Sequence, residues 1–555
     1  MSRSSGWVVL ATVALCAPLA WVGCSKDGTI DLSDGSVPRD VGSAGDAATD
    51  VGAGGDQATD QATDQATADT GVDGGPDDQG ADAGPVGRDL YVSPTLGNDL
   101  SGLGTQASPY RTLDHTLGLA TAGDTVWLMD GTWDATLDSR LAGISSVPCG
   151  VSGIPVAAGV SLRAVNAGAA TVSVSGSFGL CTNGGDIHDV VFARSAGGGV
   201  ALLAQSGDAV LSGVAFTSAA DGRGAWMVEV KGGAHMTWTP GALTRYATGT
   251  GALAFVTGAG SELTVQGGAV DDVFGAAASN AAVFLATLGG RLVLDDVLVE
   301  RPVANQTAVA IAGARVDGGV IELLGTTTLR GFNTAQGLWI QGGAQALLTD
   351  DVVIAGNAYG IFASFSNVTP TQLTLSGNAA VRNNIQDGIR GDLISTHNLV
   401  LTISGNVVVD SNGGVGVQLT TGEVRMMGGS VSHNQQYGLA LSTGVRVFHV
   451  RNAFIHNNTL AGIYWSSLAG DADLGTTASP GGNTITVNGT ATSNVNLFMD
   501  APFVTAVGNT WNASVQGADA QGMFSGDVLL TGQIVNAGGN FRVNQAGQQL
   551  RLSEP

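Results

Sequence analysis

The sequence predicts an all-β chain: a single-stranded right-handed parallel β-helix with a short N-terminal capping helix, preceded by an export leader and a disordered Asp-rich tether. Three observations carry this. One phrase (Asn, three residues, Gly, an aliphatic residue) recurs every 22–28 residues between 333 and 463. Composition suits many short strands joined by tight turns, with 85 Gly, 12% charged residues and 5% aromatics in 555 residues. The first 87 residues divide into an apolar run and a polar stretch with no apolar face.

The leader spans 1–23. Arg3 supplies its positive end, and Trp7 to Val22 is mostly apolar. Pro18 and the short length argue against a membrane span. The stretch Ala20-Trp21-Val22-Gly23-Cys24 resembles the bacterial lipoprotein lipobox, with Trp21 where Leu is usual. That resemblance implies lipidation of Cys24, anchoring without a membrane span and, from Ser25, an outer-membrane location. Plain secretion is the alternative.

Residues 24–87 form the tether. Its Asp56-Gln-Ala-Thr-Asp60-Gln-Ala-Thr-Asp64 repeat buries nothing, and 14 Asp against Lys26 and Arg39 give 25–87 a net charge of −12. Calcium binding by this run is an alternative, although EF-hand spacing and the glycine-rich nonapeptide are missing. No other cofactor is expected. The whole chain carries −24. An acidic body without a basic patch excludes nucleic acid as a partner and offers nothing to anionic lipid headgroups. If Cys24 is lipidated, Cys149 and Cys181 remain as an even pair in an exported chain. A disulfide is expected, with two buried thiols as the alternative.

An entry module is read over 88–147. Asp89-Leu-Tyr-Val92 is a strand, Leu113, Leu117 and Ala120 share one helical stripe, Gly123 can end that helix, and Val126–Met129 is a second strand. Gly97-Asn98-Asp99 reads as a structural turn rather than a metal loop. In order, Tyr91-Val92, Gly97-Asn98-Asp99, Pro109-Tyr110-Arg111-Thr112, Gly123-Asp124-Thr125-Val126 and Gly131-Thr132-Trp133 resemble the N-terminal module of unknown function on bacterial pectin-lyase-like β-helix proteins. The resemblance implies a helix that covers the first open coil.

The β-helix itself is read over 148–535, with 536–555 as an end segment. The phrase occurs at Asn333/Gly337, Asn384/Gly388, Asn412/Gly416, Asn434/Gly438 and Asn458/Gly462, and shortened at Asn357/Gly360. Equivalent residues of stacked coils form columns about 4.8 Å apart. An Asn column can bond to itself at a sharp turn and tolerates left-handed backbone, and Gly lets the chain re-enter the next strand. Leu338/Ile340, Val417/Leu419, Leu439/Leu441 and Ile463/Trp465 then point inward. Asp-Asp-Val phrases at 271, 295 and 350 mark strands of other coils. Val507-Gly-Asn-Thr-Trp511 resembles the closing coils of the same proteins.

The residue two after each Gly faces outward: Trp339, Phe362, Arg390, Gln418, Ala440 and Tyr464. Exposed aromatic rings on a flat sheet are a platform for sugar rings, and Arg390 and Gln418 can bind carboxylates and hydroxyls beside them. The alternative is a loop, 365–372 or 466–482, packed over the rings. A second column, two before each Asn, reads Arg382, Asp410, Ser432 and His456. Asp387, Arg390, Asp392, Asp410 and His456 are the weak catalytic candidates. The paired Asp motifs of the family's hydrolases and the Arg-x-Pro of its lyases are missing. His433, His449 and His456 fall on separate coils without zinc spacing, so no metal site is expected. Three functions stay open. The first is a surface β-helix that binds glycan or another surface partner without catalysis. The second is a lyase or hydrolase acting on an acidic polysaccharide, and the third a structural envelope component or adhesin.

Overall fold

The computed structural model describes residues 87–511, apart from 143–152, 177, 195–198, 219–225, 242–244, 249–251, 271, 276–280, 303–310, 365–368, 392–398, 467–471, 491–492, 495 and 500–502, together with three later strands, Asp527–Leu530, Phe541–Val543 and Gln548–Arg551. The leader, Cys24, the tether up to residue 86 and Cys149 lie outside the described residues. Among those described, no helix is long and apolar enough to cross a membrane.

The chain winds as a parallel β-solenoid with three ladders. The first starts at Asp89–Val92 and passes through Thr125–Leu128, Ser161–Ala164 and onward to Gln548–Arg551. The second starts at Gly131–Trp133 and runs to Thr510–Trp511. Its course is interrupted where Arg245–Thr248 and Asp272–Gly275 pair apart from it. The third starts at Ile154–Val156 and reaches Phe541–Val543. One continuous strand, Val417–Ser432, turns through all three, pairing with Ile389–Gly391 and then with both ends of Leu399–Asp410. The first and second ladders pair strands that lie on either side of 143–152, and the first and third continue past 535.

Alternation fills the interior. Leu338, Ile340, Val417, Leu419, Leu439, Leu441, Ile463 and Trp465 are all fully buried, as the phrase predicts, and belong to one continuous core. Aromatic rings pack within it: Phe192 on Phe216 at 5.4 Å, Phe216 edge-on against Trp238 at 5.1 Å, and Phe448 on Trp465 at 5.3 Å.

The Asn column is real, and its chemistry differs from expectation in two respects. Asn357, Asn384, Asn412, Asn434, Asn458 and Asn488 are buried. Each donates both its backbone N–H and its side-chain Nδ2 to Oδ1 of the next, ending on Asn496. Left-handed backbone belongs not to these residues but to the ones before them: Asn383, Ser411, His433, Asn457 and Val487 have φ of 52–56°. Asn333 is not a member; Phe332 occupies the ladder position and donates its N–H to Asn357 Oδ1. The Gly column is also needed for a reason other than backbone freedom. Gly388, Gly416 and Gly438 have ordinary φ, yet a Cβ on any of them would lie 2.5–2.7 Å from the next coil's glycine carbonyl.

The entry segment closes the first coil. Leu113–Leu119 is the described α-helix, N-capped by Thr112, with Leu113 and Leu117 buried in the common core. It stops one residue earlier than read: Ala120 is its extended C-cap, and the left-handed Gly123 makes the turn into Thr125–Leu128. The outer edge of Asp89–Val92 is covered by its own loop, Tyr91 N–H donating to Gly104 O and Tyr110 N–H to Tyr91 O. Asp99 is a structural turn residue: its carboxylate accepts from Arg111 N, Thr112 N and Thr112 Oγ1.

Asp124 ties the first strand to the turn. It accepts from Arg88 Nε, Nη2 and backbone N and from Thr121 N and Oγ1, and the Arg88 hydrogen bond holds its carboxyl well below the usual carboxylate range. A depressed folded pKa gives stability that is present above the unfolded value of about 4 and is lost as pH falls through and below it. Asp124→Asn should therefore lower amide-exchange protection of Asp89–Val92 at pH 6. The difference from wild type should shrink below about pH 4.

Candidate functional site

The column Trp339, Phe362, Arg390, Gln418, Ala440, Tyr464 is one register column of the third ladder. Two residues not foreseen extend it, Arg315 before Trp339 and Phe498 after Tyr464. From Arg315 to Phe498 it spans about 34 Å at ~4.8 Å per rung. Every member is half-buried except Ala440, which is buried.

The inward alternation of each strand forces these side chains out, and their neighbours then organise them. Arg315 lies over the Trp339 ring at 4.5 Å, held from the side by Asp317. Trp339 Nε1 donates to Ser364 Oγ at 2.7 Å, and its ring meets Phe362 edge-on at 6.2 Å. Arg390 stands over Tyr359 at 5.3 Å, donates to its hydroxyl at 3.3 Å and pairs with Asp387 at 3.4 Å. Further along, Tyr464 sits between Tyr437 at 5.1 Å and Phe498 at 5.0 Å. The face thus carries two aromatic groups separated by Arg390, Gln418 and Ala440.

Sequence reasoning missed Tyr359 and Tyr437 because it applied strict alternation through the Gly. The chain bends there, so the residue before Gly360 or Gly438 reaches the same surface as the residue two after it. The rings are packed on one another and remain partly exposed. Of the segments read as covers, 369–372, 466 and 472–482 are described and 365–368 and 467–471 are not.

The catalytic candidates fall in two places. Arg390 belongs to the third ladder and Asp387 to the turn leading into it; Asp387 is buried, and its Oδ1 accepts from Val415 N at 2.8 Å. Asp410 and His456 belong to the second, in the predicted column Arg382, Asp410, Ser432, His456. Asp410 accepts from Ser432 Oγ at 2.6 Å and Ser411 Oγ at 2.7 Å, and its Oδ1 lies 2.8 Å from His433 Nδ1. Burial opposes ionisation of Asp410, but these three donors outweigh it and its pKa is lowered. His456 is also lowered, by burial first and then by His433. Asp392 lies outside the described residues. Cys181 is disulfide-bonded, and its predicted partner Cys149 is outside them as well. Among the described residues no group of three or more His, Cys, Asp or Glu is arranged to hold a metal ion.

Fold and surface together define a parallel β-solenoid with a mixed aromatic and cationic column on one face. No protein-family model matches the chain, and no curated protein matches it. Among solved structures it is similar to the A-module of the Azotobacter vinelandii mannuronan C-5 epimerase AlgE4, at 13% identity over 70% of this chain and 86% of that one, with a TM-score of 0.27. It is also similar to the A-module of AlgE6 from the same organism, at 14% identity over 80% and 94%, TM-score 0.25. A third is a mannuronic acid specific polysaccharide family 6 lyase from human gut microbiota, at 12% identity over 82% and 91%, TM-score 0.32. Fold and site rest on the ladders and contacts given above, not on these similarities.

Proposed function

We propose that this chain binds a polysaccharide lengthwise along the column from Arg315 to Phe498, at the cell envelope. The observation that supports this is a single outward column in which partly exposed aromatic rings and cationic or amide groups occupy every rung but that of Ala440. Rings offer apolar faces to sugar C–H groups; Arg390 and Gln418, between the aromatic groups, offer donors to hydroxyls and carboxylates. Binding is favoured over cleavage because Arg390, with Asp387 in the turn before its strand, belongs to the third ladder, and Asp410 and His456 to the second. Asp387 is moreover engaged by Val415 N–H and Arg390.

Affinity electrophoresis in gels cast with neutral and acidic polysaccharides tests this. Trp339→Ala and Tyr464→Ala should each weaken binding about tenfold, the equivalent of ~1.4 kcal/mol for one ring. Turnover of an acidic polysaccharide that disappears in Asp410→Ala or Arg390→Ala would replace binding by catalysis. The envelope location belongs to the same proposal, with Cys24 carrying the lipid and 25–87 spacing the solenoid from the membrane. Palmitate labelling should be lost in Cys24→Ser.

A further inference from the structure

The turn between the second and third ladders carries a site that the polysaccharide column does not use. His433 and His456 are 23 positions apart in sequence, but the coil brings their rings to 5.3 Å, edge to face. His433 Nδ1 lies 2.8 Å from Asp410 Oδ1. A carboxylate can only accept, so in the neutral ring Nδ1 carries the proton and Nε2 presents a lone pair. That Nε2 is 3.2 Å from Asn457 Nδ2, and His456 Nδ1 is 2.9 Å from the same Nδ2. One amide –NH2 thus donates to two imidazoles, and both nitrogens present lone pairs to one point.

The surroundings hold this arrangement. His433 and Asn457 both take left-handed backbone, at φ 52° and 56°, immediately before the buried Asn434 and Asn458 of the ladder. His456 is braced from below by the Phe454 ring at 3.9 Å. Ser411 and Ser432 fix the Asp410 carboxylate. His433 is about half exposed, so the point is open to solvent. A carboxylate that accepts from one imidazole nitrogen while the other faces outward is the usual support of a metal-bound histidine.

We propose that His433 Nε2 and His456 Nδ1 bind a divalent transition-metal ion, which takes the place of the Asn457 amide nitrogen, with water completing its coordination and Asp410 as the supporting carboxylate. Imidazole nitrogen suits Cu2+, Ni2+ and Zn2+ and does not suit Ca2+. The proposal is independent of polysaccharide binding, because it uses another turn and other residues.

Titration calorimetry of the untagged full chain with CuCl2, NiCl2, ZnCl2 and CaCl2 tests it. One site is expected, tightest for Cu2+ and undetectable for Ca2+. His433→Asn and His456→Gln, polar replacements at partly exposed positions, should each abolish that site with the far-UV circular dichroism spectrum unchanged. Asp410→Asn should weaken it about tenfold. Asn457→Gly removes the competing donor at a left-handed position and should bind at least as tightly as wild type. His235→Ala, at the separate His235–Asp208 pair, should change nothing. Electron paramagnetic resonance of the Cu2+ form should show coupling to two nitrogens. No binding, binding that survives His433→Asn/His456→Gln, or coupling to a single nitrogen would overturn the assignment.

Discussion

Asn412→Ala is expected to cost about 3–5 kcal/mol of folding stability, because buried polar groups left without partners cost ~1–3 kcal/mol each. Asn412 is fully buried. Its Oδ1 accepts from Asn384 N and Asn384 Nδ2, and its own Nδ2 donates to Val381 O and Asn434 Oδ1. Alanine removes all four bonds. Asn384 N–H then faces a space with no acceptor, although Asn384 Nδ2 keeps Ile354 O. Bonds of one chain polarise one another, so the neighbouring coils weaken too. Asn412→Asp should be worse than alanine: a carboxylate cannot donate, and its charge would face Val381 O and Asn434 Oδ1 from 2.9–3.2 Å. Chemical denaturation followed by circular dichroism measures both. A loss under 1 kcal/mol for alanine would mean that the column is not the spine of the stack.

Gly416→Ala is expected to be comparably damaging, by steric exclusion rather than lost bonding. An added Cβ would lie 2.6 Å from Gly438 O, 2.7 Å from Asn434 Nδ2 and 2.7 Å from Val431 Cγ1. One of these neighbours is backbone and another belongs to the Asn column that joins the coils, so the methyl cannot be accommodated by one flexible side chain turning away. Close-packed interiors respond to such overfilling with a loss of about 1–3 kcal/mol or more. Gly118→Ala is the control: its Cβ would meet nothing within 4 Å, and it lies in a helix, where alanine is the better former. It should leave stability unchanged or raise it slightly.

These two residues show how much of the fold was legible. The period of the Asn and Gly positions gave the coil, and the aliphatic residues after Gly gave the core side. Their physical roles were less legible. Asn was credited with left-handed backbone that its predecessor takes, and Gly with conformational freedom where it supplies closeness. Both roles depend on contacts with the next coil, which spacing along one chain does not display. Asn333 entered the phrase by spacing alone, and the structure gives its place to Phe332.

The outward column was legible wherever the phrase was intact. Arg315 escaped because its coil has Gly313-Ala314 without a ladder Asn. Phe498 escaped because the insertion carrying the hairpin Gly489–Thr490 and Ser493–Asn494 separates Asn488 from Leu497. The His433–His456 approach was read as separation, since the two lie on successive coils. In a solenoid, successive coils are where neighbours are found.

The central claim, that a polysaccharide lies along the third ladder, is tested most directly by hydroxyl-radical footprinting of the full chain with and without the polysaccharide it retains in affinity gels. Protection of Trp339, Phe362, Tyr464 and Phe498 is predicted, with no change at Trp127, an equally half-buried tryptophan on the first ladder that stacks on Tyr91 and donates to Asp89. Unchanged oxidation along the column, or protection of Trp127 in its place, would contradict it.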